Sequence, residues 1–77
     1  QNGRYFWNKR TKEDLEKAVN YFQKAVDLDK NYAIAYAMLS DSYNMIHYYG
    51  FTDNHKEIIE KAEMFYKASQ RNGEVKI

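Results

Sequence analysis

A chain of 77 residues has room for one domain; folding at this size buries only roughly 60% of the unfolded surface, and there is no cysteine to add a disulfide. Twelve Lys and Arg against eleven Asp and Glu leave a net charge of +1, too balanced to hold a nucleic acid or an anionic membrane by electrostatics. The longest apolar run, Ala33 to Leu39, falls far below the roughly 18 residues of a membrane span.

A cytoplasmic location is the expectation from the missing cysteine and the lack of a leader-like segment, and a start on Gln1 rather than Met points to a piece of a longer protein. Proline is absent and glycine occurs only at 3, 50 and 73, so nothing interrupts the helical segments between those points. Eight Tyr, four Phe and one Trp far outnumber the leucines at 15, 28 and 39, which predicts an aromatic core.

Gly3 to Asn8 reads as the end of a helix whose beginning is missing, because Tyr5, Phe6 and Trp7 are large apolar groups with little chain before them. Thr11 is placed to cap the next helix, with Asp14 in position to complement its dipole. From Lys12 to about Leu28, Leu15, Ala18, Val19, Phe22, Ala25 and Val26 recur at three- and four-residue steps. Glu13, Lys17, Asn20, Lys24 and Asp27 fall on the opposite side.

Asp29-Lys30-Asn31 is so short a break that the following helix, Tyr32 to about His47, must run back antiparallel. One of its sides carries Ala33, Tyr36, Leu39, Ser40 and Tyr43, and another carries Ile34, Ala37, Asp41, Asn44 and Met45. Two such sides imply two neighbours, or a neighbour and a ligand. Tyr48 to Asn54 is irregular, with aromatics around Gly50; Asn54 and Glu57 have capping-box spacing, and Thr52 and Asp53 are competing caps. A third complete helix reaches about Arg71 on a face of Ile58, Ala62, Phe65, Tyr66 and Ser69, with Glu57–Lys61 and Glu63–Lys67 outside. Asn72-Gly73 reads as its stop, which makes residues 1–73 the helical unit and 74–77 a stub.

The chain also repeats itself. Ala18-x3-Phe22-x2-Ala25 recurs as Ala62-x3-Tyr66-x2-Ser69, and Gly3-x2-Phe6 recurs as Ser40-x2-Tyr43. With Tyr36-x2-Leu39-Ser40-x2-Tyr43, these residues make the chain resemble the tetratricopeptide repeat (TPR) family, whose units of about 34 residues carry W-x2-L-G-x2-Y, then A-x3-F, then P. The resemblance implies an all-α fold of antiparallel helix pairs in a right-handed array, about two repeats long, the first truncated. Lys30 stands where the family usually has proline, and Ala18 and Ala62 are 44 residues apart, which puts about ten extra residues into His47 to Lys56. The wording of the repeats is similar to tracts found in multidomain bacterial regulators.

Chemistry is sparse. His47 and His55 flank the loop at a spacing that matches no metal or acid-base motif, and read as surface histidines. There is no cysteine nucleophile, Ser40, Ser42 and Ser69 lie on helices, and no glycine-rich loop could cradle a phosphate, so neither enzyme activity nor a cofactor is expected. Arg4, Lys9 and Arg10 do not extend into a basic stripe, which argues against nucleic acid.

The resemblance therefore implies a protein–protein interaction module, with a structural spacer or dimerisation element as the competing reading. In the family the first helix of each pair lines a concave groove; here that implies Ile34, Ala37, Asp41, Asn44 and Met45, joined by Arg4, Trp7 and Asn8. Ala37 and Asp41 take positions where some members hold a carboxylate with Lys and Asn, and an aspartate there would repel one. The implied ligand is an extended or helical segment read by packing and amide contacts, with Trp7 and Met45 as anchors. So short an array also leaves apolar helix faces uncovered, through which two copies are expected to pair.

Overall fold

The computed structural model describes residues 11–74, which form three α-helices and no strand: α1 (Lys12–Leu28), α2 (Ala33–Tyr48) and α3 (His55–Glu74). Arg4, Trp7 and Asn8 lie outside the described residues. Helix α2 packs against both of the others. Its direction relative to α3 follows from their contacts: His47 meets His55, Ser40 meets Ala62 and Tyr36 meets Phe65, so the two run antiparallel. On the other side Glu16, Val19 and Asn20 of early α1 border the same groove as Tyr43 and Ile46 of late α2, so that pair is antiparallel too.

Each helix begins and ends for a local reason. Thr11 caps α1 by accepting from the Asp14 amide at 3.1 Å, and its hydroxyl donates back to the Asp14 carboxylate at 2.7 Å. At the far end Asp29 turns extended (φ −138°, ψ 98°), and its carboxylate accepts from the Asn31 amide at 3.0 Å while its carbonyl accepts from the Tyr32 amide at 3.1 Å. These two bonds fix the reversal where no proline does, since an Asx turn holds the chain much as a backbone turn would.

Helix α2 ends in a Schellman motif. Gly50 adopts φ +73°, its amide donates to the His47 carbonyl at 3.1 Å, and the Phe51 amide reaches back to the Ile46 carbonyl at 2.9 Å. Before α3, the Thr52 hydroxyl accepts from the Asn54 amide at 3.0 Å. Among the three candidate caps Asn54 serves: its side chain accepts from the Glu57 amide at 3.2 Å and donates to the Glu57 carboxylate at 3.1 Å.

The core joins Leu15, Ala18, Phe22 and Val26 of α1 to Ala35, Leu39, Tyr43 and Ile46 of α2 and Ala62 of α3. Leu15 and Leu39 have no solvent exposure at all. Between α2 and α3, Phe65 stacks on Tyr36 (centroids 6.2 Å apart) and on Tyr43 (5.9 Å), one ring seated between two that are two helical turns apart. Ser40 and Ser42 are the buried polar residues of the described region, and both are satisfied: Ser40 donates to the Ala62 carbonyl at 2.7 Å, and Ser42 to the Met38 carbonyl one turn back at 2.8 Å.

Three sequence expectations are corrected. Tyr66 is 56% exposed, not part of the α3 core face, which passes through Ala62, Phe65 and Ala68 and leaves Tyr66 beyond its edge. Of the two alternatives left open for the Ile34 to Met45 side of α2, a packed neighbour is not what the structure gives among the described residues: the second buried stripe is Ala35, Leu39, Ser42 and Ile46, because α1 and α3 touch adjacent sides of α2. Finally, α3 does not stop at Asn72-Gly73 but continues to Glu74, and the Asn72 side-chain amide donates to the Ala68 carbonyl one turn back at 2.8 Å.

Candidate functional site

The residues expected to line a groove on α2 share one strip, and the structure leaves that strip open. Ile34 is 68% exposed, Asp41 and Asn44 are exposed, and Ala37 and Met45 are half-buried at its margin, where Met45 packs against the core. An isoleucine held in water, with a carboxylate about two turns and an amide about three turns further along the same strip, offers apolar area for packing and polar atoms for orientation. Partial burial pushes the Asp41 carboxyl pKa up, because desolvation disfavours its charged form. An ionised aspartate on the strip disfavours an anionic ligand.

Concavities among the described residues lie elsewhere, two of them sizeable. One of about 340 Å³ opens where the long loop folds back over α1 and α2, between Glu16, Val19, Asn20, Tyr43, Ile46 and Phe51. It exists because Phe51, the residue after the αL glycine, turns towards Ile46 in the Schellman motif. The other, about 410 Å³, is formed by Tyr21, Lys24, Ala25, Leu28, Asp29 and Tyr32 at the end of α1. Leu28 is 89% exposed there. Neither was legible in the sequence: the first depends on how the segment between α2 and α3 folds, and the second on where α1 outruns the core.

The structure also brings together His47 and His55, whose sequence spacing matched no motif. Their Nδ1 atoms are 2.8 Å apart and their ring centroids 4.9 Å apart. Among the described residues no group of three or more His, Cys, Asp and Glu gathers as a metal centre would require, and no helix is long and apolar enough to cross a membrane. No family model matches the sequence, and no curated protein or solved structure is significantly similar to it. The class that the fold itself defines is an all-α unit of three helices with an open strip on its central helix.

Proposed function

We propose that the chain is a TPR-like piece of a cytoplasmic helical-repeat scaffold that binds a peptide or protein segment along the exposed strip of α2, without a reaction of its own. One observation carries this reading: the central helix is packed by neighbours on two sides and still presents Ile34, Asp41 and Asn44 to solvent. A helix in that position is held rigid by its neighbours, so a partner binding it loses little to ordering the scaffold. The small residues that carry the family resemblance agree, since Ala18 and Ala62 are buried and Ser40 touches the Ala62 backbone. A second reading, pairing or spacing of copies, draws on the apolar end of α1, where Tyr21, Leu28 and Tyr32 are all exposed.

Panning a random peptide library against the immobilised chain separates the two. A scaffold selects peptides with a shared apolar pattern that Ile34→Asp then rejects. A spacer selects none, and peptides that bind the Ile34→Asp variant equally well would place the site elsewhere.

A further inference from the structure

His47 lies in the last turn of α2 and His55 is the first residue of α3. The chain between them is held at three points, by the Gly50 turn, by the Thr52 hydroxyl on the Asn54 amide and by the Asn54–Glu57 cap. Both imidazoles are exposed, their planes cross at 77°, and their Nδ1 atoms face each other at 2.8 Å. At that distance one Nδ1 donates the hydrogen between them and the other accepts it with its lone pair.

We infer that His47 and His55 form a two-histidine chelating site for a divalent transition-metal ion, with copper(II) preferred over zinc(II). Neutral imidazole nitrogen suits both ions, and the affinity order and preferred geometry separate them. Bonds of about 2.0 to 2.1 Å set two ligand nitrogens about 2.9 Å apart at a right angle, but about 3.3 Å apart at a tetrahedral one. The hydrogen-bonded pair at 2.8 Å lies within a small side-chain rotation of either arrangement. Adjacent corners of a tetragonal plane are the arrangement copper(II) favours, and copper also heads the affinity order of the first-row divalent ions.

Binding requires the donor ring to move its hydrogen from Nδ1 to Nε2 by exchange with solvent, which an exposed ring can do, so that both Nδ1 lone pairs meet the ion. No third side chain joins them among the described residues, and water fills the remaining positions. The bound ion would tie the end of α2 to the start of α3 across the loop that roofs the concavity at Phe51.

The test uses copper(II) chloride as the probe on the full chain at neutral pH. A tenfold excess over the dissociation constant should raise the melting temperature by about 5 to 10 °C. The electron paramagnetic resonance spectrum should show two equivalent imidazole nitrogens. His47→Gln and His55→Gln should each abolish the shift and the two-nitrogen pattern while keeping the helical circular dichroism, and zinc(II) should bind at least tenfold more weakly. An equal copper shift in either variant would mean that the ion is held elsewhere. A wild-type chain that takes up no copper would mean that the pair shares a hydrogen and nothing more. Either result overturns the site.

Discussion

Ser40 shows what single residues decide in this fold. Its hydroxyl reaches the Ala62 carbonyl at 2.7 Å across the α2–α3 contact, and the smallness of both residues is what brings the two backbones so near. The large residues beside it then fill the remaining space. Leu39 has no exposure and Phe22 is 9% exposed; truncating either to alanine should cost about 2 to 5 kcal/mol in transfer and cavity terms. Against a total of roughly 5 kcal/mol or less for so small a domain, either variant should melt well below the parent. Thermal melts unchanged from the parent would show that the core lies elsewhere.

Asp41 gives a second test at this scale. Its carboxyl pKa is raised in the folded chain, so the fold binds that proton more tightly than the unfolded chain does. Stability from this group is highest when it is protonated, and declines as the pH rises through the carboxylate range. Asp41→Asn should therefore melt slightly above the parent at pH 7. The difference should vanish in acid below the carboxylate range, and a difference that persists there would assign the effect to something other than ionisation.

At the scale of elements, the three helices were legible because their signals are local. Thr11 and Asn54 cap as their spacing implies, Leu15, Ala18, Phe22 and Val26 are buried as their period implies, and Glu57–Lys61 and Glu63–Lys67 pair at 3.5 Å on the surface. What depends on which neighbour touches which side was not legible. The α2 pattern is apolar almost all round, so periodicity could not say that Ala35, Ser42 and Ile46 face inward while Ile34 faces water. That Asp41 and Asn44 face solvent was legible because they are polar.

The histidine pair was hidden because seven residues, Tyr48 to Asn54, separate its members, and the Gly50 turn is needed to bring them together. That turn is testable in turn. A Cβ at Gly50 would meet nothing within 4 Å, so the obstacle to alanine is conformational alone, at φ +73°. Gly50→Ala should cost about 1 to 2 kcal/mol, and Gly50→Asn, which tolerates the left-handed region, clearly less. Equal losses for the two, read from denaturant midpoints, would show that the loop has no need of that geometry.

The described helices form a slab. The Cα framework measures 37 × 26 × 17 Å, and its thin dimension holds two helix layers, since axes about 8 to 10 Å apart carry backbones about 2.3 Å in radius. Every helix of such a slab keeps a face in water, and Leu28, Ile34, Tyr48, Met64 and Tyr66 are among the large apolar groups left exposed. Self-association at high concentration is the expected consequence. Sedimentation equilibrium should show dimer growing in at millimolar concentration, and Leu28→Lys should weaken it; a strict monomer with a helical spectrum would remove pairing from the reading.

The interaction strip is tested most directly by nuclear magnetic resonance, with the isotopically labelled chain titrated by a peptide selected against it. Binding along α2 should move the amide signals of Ile34, Ala37, Asp41, Asn44 and Met45 together, at one dissociation constant. Shifts confined to the charged outer faces, at residues such as Lys24, Glu60 and Lys67, with the α2 strip unmoved, would contradict it.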